Sequence, residues 1–158
     1  VAMIDCAYSV DDAALGLQWH VMAMYAPSFF SGMLIARFGA GAMVGLGLSL
    51  IAASAIAGLT GISVAHFWLA LILLGLGWNF AFIGATAMVT QCHRPEERTR
   101  VQSVNDFLVF GSMAFGSFFS GQLLAKFGWA MINEVVLAFM FAAALLSLLL
   151  AARRPQAA

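Results

Sequence analysis

Five apolar runs, each close to twenty residues long, dominate this 158-residue chain and leave it few ways to fold. They cover residues 14–34, 41–59, 64–89, 103–125 and 130–152. A helix rising 1.5 Å per residue crosses a hydrocarbon core of about 30 Å with about 20 such residues. In lipid every backbone N–H and C=O must be satisfied within the protein, so each run is predicted to be a helix. Only 9% of the residues are charged and 63% are hydrophobic, against about 25% and about 45–50% in soluble domains. The predicted fold class is therefore all-α, a polytopic transmembrane helix bundle. Residues 1–13 are expected to be the outer end of a truncated helix and an external loop, and residues 153–158 a cytoplasmic tail. The first residue is Val1 and no basic segment precedes an apolar leader, so the chain is expected to begin inside a longer protein.

Several function classes are set aside on the same grounds. The formal net charge is +0 and no basic cluster stands out, so nucleic acid is not an expected partner. Cys6 and Cys92 are the two cysteines; they make no disulfide framework and no zinc spacing. The stretch GAGAMVGLG (39–47) is neither a dinucleotide fingerprint nor a phosphate loop. Its Gly41 and Gly45 are spaced as G-x-x-x-G and are expected to pack helices closely, as are Ser117 and Gly121. No Ser–His–carboxylate set, paired carboxylates or metal spacing is present, so no catalytic residue, metal or cofactor is predicted.

Lys and Arg in short loops set orientation. If five spans alternate, Arg37, Arg94, Arg98, Arg100, Arg153 and Arg154 share one side and Lys126 takes the other. That places the C-terminus in the cytoplasm and the protein in the cell (inner, cytoplasmic) membrane, with the lipid bilayer as its solvent. The loop 91–102 is expected to carry a short surface helix, with Pro95 in its first turn and Glu96 and Glu97 behind it.

One segment is written twice. Residues 28–39 read SFFSGMLIARFG and residues 117–128 read SFFSGQLLAKFG, identical at nine of twelve positions. Three crossings separate the copies, so the first is expected to exit toward the cytoplasm and the second toward the outside. That is the mark of an inverted-topology repeat, which many secondary transporters use to build alternating gates.

Polar residues inside spans each need a reason. Trp78 and Asn79 fall near the middle of the third span, and Asn79, Thr86 and Thr90 form one stripe at 100° per residue. The stripe is read as lining a substrate cavity or, alternatively, as an interhelical hydrogen bond from Asn79 with Trp78 as packing. In the first span Gln18, Tyr25 and Phe29 share a face, and His20, Pro27 and Ser31 the next. Pro27 is predicted to kink the helix near residues 23–27. His20 is read as a proton relay or as a hydrogen-bonded structural histidine. In the fourth span Ser103 and Asp106 fit a capping box, with Asp106 also placed for a cytoplasmic gate. Asn105, Ser112 and Gly116 continue a small polar stripe.

The segment GMLIARFG (32–39) resembles the cytoplasmic loop motif G-x-L-x-D-R-x-G of the major facilitator superfamily (MFS). Gly32, Leu34, Arg37 and Gly39 match, while Ala36 stands where the family has Asp. RPEERTRVQSVNDF (94–107) is similar to the family's link before its eleventh helix, and AKFGW (125–129) with a last apolar helix and a basic tail completes the pattern. The resemblance implies an MFS-type half with an inverted repeat, its spans being helices eight to twelve of twelve. The cavity between two six-helix halves would be lined here by Gln18, His20, Tyr25, Trp78, Asn79, Thr86 and Ser112. Gly32, Arg37, Gly39, Asn105 and Asp106 would serve the cytoplasmic gate or loop motif. The implied function is secondary active transport of a small-molecule substrate by alternating access. The implied partners are the missing N-terminal half of the same chain and a coupling proton if that half supplies a carboxylate. The rival reading is a non-transport polytopic subunit or anchor.

Overall fold

The computed structural model describes residues 2–152, and the expected tail with Arg153 and Arg154 lies outside them. The described residues are helical, with no strand. A short α1 (Ala2–Asp5) precedes α2 (Val10–Tyr25), α3 (Ser28–Phe38), α4 (Ala40–Thr60) and α5 (Val64–Thr90). A single 3-10 turn at Pro95–Glu97 then leads into α6 (Arg98–Ala152). As one rod, the 55 residues of α6 would reach about 80 Å, more than twice a hydrocarbon core. Gly128 breaks it, with φ 78 and ψ −176, into segments 98–127 and 129–152. α4, α5 and α6 are each long and apolar enough to cross a membrane, and α2 with α3 makes a fourth candidate span bent by 44°.

The helix starts follow local chemistry. Ser9 caps α2 by accepting from the Asp12 N–H at 3.0 Å, and Ser63 caps α5 by accepting from His66 N–H at 3.4 Å. Such caps satisfy donors that have no partner inside the helix. Glu97 takes the Arg94 N–H at 3.3 Å and closes the Pro95 turn. Because that turn already starts the helix, α6 runs straight through Ser103. The expected capping box there does not form. Asp106 sits about two turns inside α6, where its carboxylate accepts from Gln102 at 3.0 Å and Asn105 at 3.3 Å.

Packing is tightest where α4 crosses α5. A Cβ on Gly47 would run into the Ala81 backbone N–H and stand 2.7 Å from the Gly77 carbonyl. A Cβ on Gly77 would in turn lie 2.8 Å from the Gly47 carbonyl. Glycine on both helices lets the backbones touch, which is how apolar helices associate when lipid removes the hydrophobic drive between them. Ser54 adds a hydrogen bond to the Ala70 carbonyl at 2.7 Å. Gly41 and Gly45 do not pack this way: nothing lies within 4 Å of a Cβ built on either. The same is true of Gly121. The G-x-x-x-G expectation is thus corrected by one helical face: the close approach uses Gly47, which points toward α5.

Contacts along the helices fix their directions. On α2 and α5, Asp12 meets Trp68, His20 meets Leu71 and Met24 meets Asn79, so the two run parallel. On α4 and α5, Gly47 meets Gly77 and Ser54 meets Ala70, so those two run antiparallel. Segment 129–152 also runs antiparallel to α4: Trp129 meets Gly58, while Ser147 shares a groove with Gly41. One end of the bundle therefore gathers Tyr8, Asp12, Gly58, Phe67, Trp68 and Trp129. Phe67 meets Trp129 in a tilted pair at 5.1 Å and Tyr8 edge-on at 6.2 Å, and both indoles donate to carbonyls, Trp68 to Asp12 and Trp129 to Gly58. Lys126 belongs to this end. Arg37, at the end of α3, and Arg94, Arg98 and Arg100, beyond the end of α5, belong to the other.

Candidate functional site

The richest polar cluster forms where α2 gives way to α3. Pro27 has no N–H for the Ala23 carbonyl, and the chain bends there. α5 brings Asn79 to this point. Its amide nitrogen donates to the Met24 carbonyl at 2.6 Å and to the Ser28 hydroxyl at 2.7 Å. The Ser31 hydroxyl lies 3.0 Å from Asn79 Oδ1 and 2.9 Å from the Pro27 carbonyl. Asn79 is 4% exposed and Ser31 1%. A buried amide costs free energy unless its donors are met, and here both donors are met. Gly75, one turn earlier on α5, permits the approach: a Cβ there would stand 2.5 Å from the His20 carbonyl. The space beside Gly75 is filled by α2, at His20, Ala23 and Met24.

His20 is half-buried, and its Nδ1 donates to the Leu71 carbonyl at 2.7 Å. That bond fixes the ring against α5 and leaves Nε2 as the other ring nitrogen. Trp78 is half-buried and stacks on Phe82 with centroids 5.7 Å apart and planes 11° apart. Thr86 is half-buried further along the Asn79 stripe, and Thr90 returns its hydroxyl to the Ala87 carbonyl at 2.7 Å.

The other expected lining residues lie apart from this cluster. Gln18, Tyr25 and Ser112 are on open helix faces, with Tyr25 65% exposed. They enclose no cavity among the described residues. Gly32 and Gly39 are exposed, Arg37 lies 5.3 Å over the Phe38 ring, and Asn105 and Asp106 form their own cluster on α6. A groove of about 660 Å³ lies instead between α4 and segment 129–152, against Gly41, Gly45, Ser49, Leu137, Phe141 and Ser147. Its two serines are spent on their own helices, on the Gly45 and Ala143 carbonyls, so its wall is apolar. No group of three metal-binding side chains occurs among the described residues.

Sequence reasoning missed Asn133. It is buried, donates to the Trp129 carbonyl at 2.9 Å, and fills the space that a Cβ on Gly58 would need. The signal available was a lone amide four residues past a tryptophan at a helix start.

Known proteins place the fold in context. The chain is 60% identical over 136 residues to the riboflavin transporter RfnT of Brucella anthropi, covering 86% of this chain and 34% of that protein. It is 39% identical over 119 residues to the uncharacterized MFS-type transporter YdeG of Bacillus subtilis, covering 73% of this chain and 28% of that protein. It is 32% identical over 128 residues to YddS of the same organism, again an uncharacterized MFS-type transporter, covering 80% and 29%. The chain thus spans about a third of the length of the curated relatives it matches. No solved structure matches it. With helices of membrane-crossing length and a family match over residues 7–158, this chain belongs to the Major Facilitator Superfamily.

Proposed function

We propose that the protein carrying this chain moves riboflavin, or a solute with a similar planar ring, across the cytoplasmic membrane by alternating access. The observation that supports this most is the 60% identity to a riboflavin transporter. The site adds a chemical reason. Trp78 and Phe82 lie nearly parallel on α5, and a flat aromatic face stacks on such a pair with about 0.5–1.5 kcal/mol beyond area burial. The exposed faces carrying Gln18, Tyr25 and Ser112, with Thr86 and His20 beside them, would line the cavity once the rest of the protein covers them. Asn79 stands behind that surface and braces it. Arg37 and Asp106, both toward the Gly39 end of the bundle, would serve the inner gate, with the C-terminus cytoplasmic.

The test is uptake in a bacterium that can neither make riboflavin nor import it. Full-length protein should restore growth on micromolar riboflavin, and Trp78→Ala should lose most of that uptake at unchanged membrane abundance. Failure of the full-length protein to restore growth would exclude riboflavin. Near-normal uptake by Trp78→Ala would remove the aromatic wall from the site.

A further inference from the structure

Asn79 is the side chain that holds both sides of the broken span. Before the break it takes the Met24 carbonyl; after it, the Ser28 and Ser31 hydroxyls. The two sides are fastened very differently. α2 is pinned to α5 along its length, by Trp68 on the Asp12 carbonyl, His20 on the Leu71 carbonyl and backbone contact at Gly75. α3 has one buried residue, Ser31, and shows Phe29 at 84% exposure together with Phe30 and Met33. Its other contacts are an apolar edge toward α4, where Leu34 and Phe38 lie against Met43 and Leu46, so against α5 it is held at one polar point and can pivot where it joins α2. Pro27 already removes the backbone bond that would resist bending.

We infer that residues 26–27 are a hinge, that α2 and α5 move as one body, and that Asn79 is the latch that fixes α3 in its bent position. In the latched state both amide hydrogens are used and the Met24 carbonyl is covered. Swinging α3 away breaks the Ser28 and Ser31 bonds but keeps the Met24 bond, because Met24 belongs to the α2–α5 body. The latch thus opens with the Met24 carbonyl still covered, and the cost is two hydroxyl bonds together with one Asn79 amide hydrogen and its Oδ1, which must find water or new partners. α3 ends at Phe38, beside Arg37, so the swing displaces that cation at the end of the bundle.

The inference rests on the transport reading for its purpose, but its test reads a distance and not uptake, so either can fail alone. Full-length protein in nanodiscs, with Cys6 and Cys92 replaced by serine, would carry spin labels at Leu17→Cys and Met33→Cys, across the hinge. A second pair, Leu17→Cys and Leu74→Cys, lies within the α2–α5 body. Asn79→Ala should broaden the first distance distribution and shift it to longer separation, leaving the second unchanged. No change in the first pair would overturn the latch. Broadening of both pairs would also overturn it, since Asn79 would then be holding the bundle and not the hinge. If Asn79→Ala cannot be purified, Ser28→Ala with Ser31→Ala decides by the same readout: broadening across the hinge alone supports the latch, and an unchanged first pair or broadening of both refutes it.

Discussion

The two copies of the repeated segment have nearly the same sequence and very different surroundings. In the first, Ser31 is buried against Asn79 and Pro27. In the second, the matching Ser120 is exposed and returns its hydroxyl to the Ser117 carbonyl at 3.0 Å. Every residue from 111 to 122 is exposed, and the phenylalanines of that stretch meet one another, Phe115 with Phe119 at 4.4 Å. What the copies share is their ending. Gly39 has φ 83 and ψ 154; Gly128 has φ 78 and ψ −176. They are the positive-φ glycines of the described chain. The repeat therefore encodes a way of leaving one helix and starting the next, and it leaves packing to the neighbours. The contacts also send the two endings to opposite ends of the bundle, Gly39 near the arginines and Gly128 beside Trp129 and Gly58.

The sharpest test of that opposition is all-or-none. In the full-length protein with native cysteines replaced, Arg37→Cys should react with an impermeant maleimide only from the cytoplasmic side and Lys126→Cys only from outside. Labelling of both from one side would break the inverted relation. Next in size is the contrast between packed and bare glycines. Gly47→Leu should abolish recovery of monodisperse protein, because overpacking a tight crossing costs about 1–3 kcal/mol or more, whereas Gly45→Leu, with nothing within 4 Å and the open groove beside segment 129–152 to enter, should be recovered at wild-type yield. The shared ending predicts matched losses. Gly39→Ala and Gly128→Ala should each cost about 1–3 kcal/mol, since this backbone region is nearly reserved for glycine, and should lower the melting temperature by similar amounts. A loss at one site alone would mean the two endings are not equivalent. The smallest effect separates the serines: Ser31→Ala should cost about 1 kcal/mol, and Ser120→Ala nothing measurable in the same melting assay.

Much of this architecture was legible in the sequence, because apolar length and charge scarcity act over whole segments. Pro27 announced its bend for a similarly local reason: a missing N–H does not depend on neighbours. What depended on neighbours was less legible. Gly41, Gly45 and Gly47 look alike in an apolar helix, and which of them touches another backbone is decided by rotation about the helix axis. Ser103 and Asp106 fit a cap, yet the start of α6 was set five residues earlier by Pro95 and Glu97. The sequence marks Asn79 as a polar residue within an apolar span. Its partners, a carbonyl and two hydroxyls on another span, followed only from the parallel packing of α2 and α5.

That packing has a consequence for the order of events in synthesis. The Met24 carbonyl is met by an amide made 55 residues later. At about 5–20 residues per second of translation, the bend at Pro27 waits roughly three to ten seconds before α5 arrives. During that interval the exposed carbonyl has only water, a chaperone or the insertion machinery for company. Alone in lipid, the kinked span would carry that carbonyl unpaired, a cost that Asn79 removes once α5 has packed against α2.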